Sequence, residues 1–231
     1  MHRFLIPLLL ALAILLAAEM PGGAGDNAPA GIKVDKDKRT VSIDAKIAPR
    51  KLEYLKGEIY PIEVIACWPH PKGKKAHETV VTIDVMPSAV HKALEQLGLR
   101  PGTPVMGESD KPPQGPEVKV YIEVPDVAGE TRRIPIEKAL VDMKTGKQPK
   151  KLEWRFTGSV EKQADPTKPE KVYGADLSGT LGVIFPVSNE TVLQTHLTMK
   201  EEKYLKLETN TKLLPKEGTQ VKLVFEVPAS K

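Results

Sequence analysis

The segment Val-Lys-Val-Tyr-Ile-Glu-Val at 118–124 decides the fold, because its apolar residues alternate with Lys, Tyr and Glu without a break. Successive side chains of a strand point to opposite faces, so this alternation predicts a strand with one buried face. The same period recurs at 41–47, 205–213 and 221–227. Further strands are expected in five other stretches, 59–67, 77–85, 151–162, 172–176 and 179–185.

These strands follow one another without a repeating period and with little helix between them. That organisation predicts a single α+β domain made mainly of antiparallel β-sheet. One principal helix is predicted at about 87–97, where Pro87 suits a first helical turn and Gly98 suits a left-handed stop. Its apolar face would be formed by four residues, Val90, Ala93, Leu94 and Leu97.

Two other segments complete the predicted organisation. A second, short helix is expected near 190–196. The stretch 100–116 contains Pro101-Gly102, Pro112-Pro113 and Gly115-Pro116, so it predicts a long loop. Such a loop is either functional or a surface excursion.

Residues 1–24 have the three-part layout of a cleavable signal peptide. A basic start, Met1-His2-Arg3, precedes the apolar run 4–18, and small or helix-breaking residues follow it. The apolar run is shorter than the roughly 20 residues that a membrane-spanning helix needs. We therefore expect cleavage before Gly25, with an uncleaved N-terminal anchor as the alternative.

The remaining chain is expected to be exported to the periplasm or the cell surface of a bacterium, with no stable membrane anchor after cleavage. Residues 25–31 are rich in Gly, Ala, Pro and Asn and predict a disordered lead-in, followed by the folded domain at 32–231. Lipid attachment is excluded, because it needs a cysteine directly after the apolar run and the only cysteine is Cys67.

Charge and cysteine content exclude several classes of function. The net charge is only +4, and the lysine clusters at 72–75 and 147–151 lie where turns are expected and lack interleaved aromatic residues. They indicate solvated turns rather than a nucleic-acid-binding face. With Cys67 as the single cysteine, the chain has no intramolecular disulfide and no ordinary iron–sulfur cluster.

The most concentrated polar chemistry lies at 63–78. If the two halves of this segment are strands of one hairpin, His77 enters the second strand close to Cys67. Glu63 and Glu78 would then bring two carboxylates within reach of a thiol and an imidazole. His91, in the helix that follows, is placed to complete the group.

Four interpretations of this candidate site stay open. Cys67 is a nucleophile activated by His77, with Glu63 or Glu78 orienting the imidazole. Alternatively, Cys67, His77 and a carboxylate bind a transition metal such as zinc or copper. A third interpretation is a recognition pocket without chemistry, and in the fourth Cys67 is an inert core residue.

Several separated blocks of the chain, spanning about 35–195, resemble the YdjY-like family of exported bacterial proteins. The family pattern combines an acid and a cysteine with K-x-H-E-[ST], L-G-x-x-P-G, W-x-F-x-G-S and A-D-x-x-G. The matching blocks here are 63–67, Lys75 to Val80, Pro87 to Pro104, Trp154 to Ser159 and Tyr173 to Gly179. The resemblance implies no established activity, but it places Cys67, His77 and Glu78 in the most recognisable block. We therefore hypothesise a noncatalytic module that binds a small ligand or metal at the 63–78 hairpin, with a cysteine-dependent enzyme using Cys67 and His77 as the alternative.

Overall fold

A computed structural model describes residues 29–109, 111–126 and 129–229. Within these ranges the protein is rich in β-structure and has few helices. The strands are β1 (Ile32–Asp35), β2 (Thr40–Ile47), β3 (Val64–Cys67), β4 (Thr79–Ile83), β5 (Glu117–Pro125), β6 (Thr131–Pro135), β7 (Leu140–Asp142), β8 (Trp154–Phe156), β9 (Glu161–Gln163), β10 (Lys171–Tyr173), β11 (Thr180–Val183), β12 (Leu193–Thr195), β13 (Leu207–Thr209) and β14 (Gln220–Glu226). The helices are α1 (Pro87–Gln96), α2 (Gly174–Ser178) and α3 (Met199–Glu202).

Eight strands close into a barrel in the order β2, β14, β5, β8, β12, β11, β3, β4 and back to β2. Most neighbours around this ring are antiparallel, as predicted, whereas β3–β4 and β11–β12 are parallel. The closed barrel is more than the simple antiparallel sheet that we expected. Closure satisfies strand edges that an open sheet would leave unpaired. Outside the ring, β1 pairs with β2 and β6 pairs with β5.

The alternating segment at 118–124 forms a strand with one buried face, as predicted. In β5 the apolar residues of the pattern are buried, and β5 pairs with β14 on one side and β8 on the other. Large buried side chains fill the core, among them Trp154, Phe156, Phe185 and Phe225. Hydrophobic burial of this kind is the main stabilising contribution to the fold.

The principal helix is confirmed at Pro87–Gln96, with Val90, Ala93 and Leu94 buried. Gly98 follows it with φ of +85°, a conformation that favours glycine. The helix packs against α2, β1 and β2. No helix among the described residues is long and apolar enough to cross a membrane.

Several local predictions are wrong in part. The strand expected at 151–162 forms as two short strands, β8 and β9, which belong to different sheets. The short helix expected near 190–196 is replaced by strand β12, which is buried between β8 and β11, so tertiary pairing overrides local preference. The strand expected at 172–176 ends at Tyr173 and continues as α2. The period at 205–213 yields only Leu207–Thr209, which pairs with β7.

The loop at 100–116 is long, as predicted, and its described residues are tied to the barrel. Thr103 and Gln114 form an isolated bridge across the loop. The Gln194 amide donates to the Val105 carbonyl at 2.7 Å and accepts from the Val105 N–H at 2.8 Å. The predicted signal peptide, residues 1–24, lies outside the described residues. Of the predicted lead-in at 25–31, the described residues 29–31 form a turn in which the Pro29 carbonyl accepts from Ile32 N–H at 3.0 Å.

Candidate functional site

The 63–78 segment is not a hairpin, and that prediction is wrong. Strands β3 and β4 are parallel neighbours, with Val64 opposite Thr79 and Cys67 opposite Thr82. The intervening residues therefore carry the chain back along β3 as a crossover. His77, which lies just before β4, consequently sits at the Glu63 end of β3. Three residues of strand, about 10 Å, separate that end from Cys67.

At the Glu63 end lies a group of four side chains that we call the ionic cluster: Glu63, Lys75, His77 and Glu78. Lys75 Nζ lies 3.2 Å from Glu63 Oε2 and 2.6 Å from Glu78 Oε2. His77 Nε2 lies 3.1 Å from Glu78 Oε1. Lys75 therefore joins both predicted carboxylates, although the sequence reasoning did not select it. Its position three residues before Glu78 was the signal that could have identified it.

The ionic cluster shifts the pKa values of Glu63 and Lys75. Burial, together with the neighbouring carboxylate of Glu78, raises the pKa of Glu63 from 4.5 to about 7, although Lys75 opposes the shift. Burial acts to lower the pKa of Lys75, but the hydrogen bond and charge of Glu78, with those of Glu63, outweigh burial and raise it. Lys75 therefore stays cationic, and Glu63 takes up a proton near neutral pH.

Arg50 fixes the backbone beside this cluster and was missed by the sequence reasoning. Its side chain is buried, its Nε lies 2.8 Å from Glu208 Oε1, and its guanidinium donates to the carbonyl of His77 at 2.8 Å and to that of Tyr60. The Tyr60 ring meets the His77 ring edge-on, with 5.1 Å between the ring centroids. No local pattern marks Arg50, because its carboxylate partner lies 158 residues away.

Cys67 is fully buried at the other end of β3. Its Sγ lies 3.9 Å from Thr180 Oγ1 and 4.0 Å from the Ser178 carbonyl oxygen. Burial raises the pKa of the thiol, which disfavours the nucleophilic thiolate. Gly73 covers the thiol so closely that a Cβ at this position would lie 2.8 Å from Sγ and 1.8 Å from the Trp68 carbonyl oxygen.

His91 is not part of the ionic cluster. Its Nδ1 lies 2.7 Å from the Tyr173 hydroxyl, and its Nε2 lies 3.5 Å from Glu95 Oε1. Its ring meets those of Phe156 and Tyr173 edge-on, with centroids 4.9 Å and 5.3 Å away. Burial raises the pKa of Tyr173. The structure thus divides the five predicted residues among three places.

The part of the chain that the structure describes contains no set of ligands that would support the metal-binding interpretation. There, no three side chains of His, Cys, Asp or Glu come together in a way that would hold a metal ion. In the ionic cluster, Lys75 occupies the position between the two carboxylates where a cation would bind.

The concave surface of the segment is a groove of about 510 Å³ on the outside of the crossover. We call it the crossover groove. It is lined by Trp68, Pro69, His70, Pro71, Lys72, Ile83, Asp84 and Met86. The indole N–H of Trp68 donates to the Val85 carbonyl at 2.8 Å. Tyr54 stacks on His70 with 4.1 Å between the ring centroids.

Residues of the separated motif blocks meet in space and support this surface. Gly179 lies against the Trp68 indole, where a Cβ would approach its ring to 2.7 Å. Ser159 Oγ accepts from Ala175 N–H at 3.0 Å, and Asp176 Oδ1 accepts from Ser88 N–H at 2.8 Å. Gly179 of the A-D-x-x-G block is therefore a packing residue. Asp176 of the same block and Ser159 of the G-S block accept hydrogen bonds from backbone N–H groups.

The fold and the site together define a closed, mainly antiparallel β-barrel protein with one principal helix and an apolar surface groove. The chain belongs to the YdjY domain family, whose family model matches residues 32–226. This match confirms the resemblance drawn from the motif blocks. No curated protein and no solved structure was found to match the chain.

Proposed function

We propose that this protein is a single-domain, noncatalytic module, exported to the periplasm or cell surface, that binds a small ligand in the crossover groove. The observation that carries the proposal is the concave, largely apolar surface that the 63–78 segment presents. Pockets of this kind, with apolar walls and few polar groups, are the usual form of a small-molecule site.

The groove favours a ligand with a flat apolar body. The N–H of Trp68 is occupied by Val85, so the indole offers apolar ring surface rather than a donor. Met86 is 47% exposed although it is a large apolar side chain. Thioether sulfur and aromatic rings both attract flat, polarisable groups. Lys72 and Asp84 are exposed on the rim, where a charged group of the ligand would meet one of them.

The burial of Cys67 favours this proposal over the cysteine-dependent enzyme. A catalytic thiol needs access to substrate and a base within hydrogen-bond reach. The polar contacts of Sγ are to the Thr180 hydroxyl and to backbone groups of Trp68, Lys75 and Ser178. The base that we predicted, His77, lies at the opposite end of β3.

Saturation-transfer NMR with a library of soluble aromatic and cyclic fragments tests the groove. We expect a subset of fragments to bind the wild type and to lose binding in Met86→Glu, which places a charge in the apolar wall. The matched control is Met143→Glu, since Met143 is 51% exposed and lies outside the groove. Equal binding by both variants, or no binding fragment at all, would contradict the proposal.

Export is tested separately. We expect N-terminal sequencing of the protein recovered from the bacterial envelope to begin near Gly25. Recovery of a chain that still begins at Met1 and fractionates with the cytoplasm would contradict export without affecting the ligand-binding experiment.

A further inference from the structure

A second concave site lies away from the crossover groove, between residues 142–152 and residues 196–205. Its volume is about 490 Å³. We call it the basic pocket. Its lining includes three lysines and two carboxylates, Lys147, Lys150, Lys151, Asp142 and Glu201, together with apolar residues from both segments.

Three lysines and two carboxylates line the pocket, so the lysines outnumber the carboxylates by one and leave the lining net positive. Among the described residues, no carboxylate lies within ion-pair distance of Lys147 or Lys150. Lys151 Nζ lies 3.8 Å from Glu117 Oε1, and the two side chains are 66% and 39% exposed. Such a surface pair contributes little, so Lys151 remains available to another anion.

The histidine of the lining can also donate to an anion, whereas the two carboxylates of the lining repel one. His196 Nδ1 accepts from Glu153 N–H at 3.2 Å, so the neutral ring carries its proton on Nε2 and offers a donor there. Both carboxylates of the lining already accept hydrogen bonds from their own turns. Asp142 accepts from Lys144 N–H at 3.0 Å and Thr145 N–H at 2.7 Å. Glu201 accepts from Thr198 N–H at 2.9 Å.

The pocket also has apolar surface, which a site for a bare inorganic anion would not need. Leu152 is buried, and Leu197 and Leu205 are half-buried. Tyr204 is 60% exposed, although an aromatic ring of this size is usually covered. Lysines and apolar side chains therefore line one cavity.

We propose that the basic pocket binds an organic anion, in which a phosphate, sulfonate or carboxylate group is carried on an apolar body. The anion meets Lys147, Lys150 and Lys151, and the body lies against Leu152, Leu197 and Tyr204. Charge-assisted hydrogen bonds from the lysines supply the polar part of recognition. This proposal assigns a role to the 147–151 cluster, whose three lysines are exposed as the sequence predicts, and it is independent of the crossover groove.

Isothermal titration calorimetry with three probes tests the chemistry of the ligand. We expect 1-naphthyl phosphate to bind more tightly than inorganic phosphate or 1-naphthol, and binding to weaken as salt rises. Equal affinity for inorganic phosphate would overturn the apolar part of the proposal. Equal affinity for 1-naphthol would overturn the cationic part, and absence of naphthyl phosphate binding would overturn both.

Variants locate the site. We expect the triple variant Lys147→Gln, Lys150→Gln, Lys151→Gln to weaken naphthyl phosphate binding by ~10-fold or more, since each lost charge-assisted bond is worth more than a neutral one. The control is Lys33→Gln, Lys36→Gln, Lys38→Gln, which removes the same charge from exposed positions around the β1–β2 turn. Equal weakening in both variants would show a net-charge effect and overturn the pocket. The probe titrations and the lysine variants are also measured in the Met86→Glu background, which removes the crossover groove as a competing site for an aromatic probe. Loss of all naphthyl phosphate binding in Met86→Glu alone would assign the probe to the crossover groove and overturn the pocket.

Discussion

Asp176 Oδ1 accepts a hydrogen bond from the backbone N–H of Ser88 at 2.8 Å, so an aspartate of α2 caps the first turn of α1 from outside that helix. The residue at the N-cap position of α1 itself, Met86, makes no side-chain cap. The first N–H groups of a helix have no partner within it. The cap on α1 therefore depends on a tertiary contact between two motif blocks.

Replacing Asp176 by Ala should lower the free energy of unfolding by about 1 kcal/mol, the usual cost of losing a cap. Asp176→Asn, which keeps an acceptor oxygen, should cost less. Urea unfolding followed by circular dichroism measures both. The control is Asp165→Ala, which removes an aspartate that accepts from Thr167 within an exposed turn. Equal effects at the two positions would contradict the capping role.

The ionic cluster predicts a pH dependence of stability. The pKa of Glu63 is raised from 4.5 to about 7, so between these values the native state binds more protons than the unfolded state. Stability contributed by Glu63 should therefore be greatest at low pH and should fall as pH rises through this window. Thermal unfolding at about pH 5 and about pH 8 tests this, because Glu63→Gln should gain stability relative to wild type at the higher pH.

The same titration is visible by NMR. A carboxyl resonance with a midpoint near pH 7 should be present in wild type and absent from Glu63→Gln. Glu53→Gln, at an exposed position, should leave both the resonance and the pH dependence unchanged. A wild-type stability that rises between the two pH values relative to Glu63→Gln would contradict the assignment.

Arg50→Met should lower the free energy of unfolding by ~3 kcal/mol, because it breaks a largely buried ion pair and leaves Glu208 without its partner. It also removes the donor to the His77 carbonyl and should increase hydrogen exchange at residues 77–79. Arg100→Met, at an exposed position, is the control and should change stability little. Comparable losses in the two variants would show that the Arg50 contacts contribute nothing specific.

Periodicity predicted the elements that are governed by local pattern. Strand β5 and helix α1 each have one buried face that repeats along the chain, so hydrophobic spacing identifies them. Barrel closure depends on the pairing of β2 with β4, which no local pattern encodes. The short strands β7 and β12 were missed for a similar reason, because their partners hold them in extended form.

Three of the five residues predicted for the candidate site lie together, whereas Cys67 and His91 lie elsewhere. Glu63, His77 and Glu78 do lie together, since the K-x-H-E block leads into β4 beside the start of β3. Cys67 was misplaced because a Pro, Lys and Gly-rich connection suits a hairpin turn as well as a crossover between parallel strands. Strand direction decides which end of β3 faces His77, and direction is set by tertiary pairing.

Gly73 controls access to the Cys67 thiol, and Gly73→Ala tests this directly. A Cβ at residue 73 would lie 1.8 Å from the Trp68 carbonyl oxygen, so the backbone covering Sγ must move. We expect the Cys67 thiol of the native wild type to react very slowly with an aromatic disulfide reagent. In the denatured wild type the thiol should react completely. The thiol of folded Gly73→Ala should react at least ~10-fold faster. This corresponds to a decrease of about 1.4 kcal/mol in the free energy of the local opening that exposes Sγ.

Gly218→Ala is the matched control for this experiment. Gly218 has a left-handed φ of +77°, and no atom lies within 4 Å of the place that a Cβ would take, so the substitution strains a turn without moving the cover. Circular dichroism establishes that both variants remain folded during the reaction. Rapid reaction of the native wild type, with a rate that rises around pH 7, would show an accessible thiolate. That result would support the alternative hypothesis of a cysteine-dependent enzyme. Slow reaction in wild type and Gly218→Ala, with fast reaction in Gly73→Ala, would establish Cys67 as a buried core residue whose cover is Gly73.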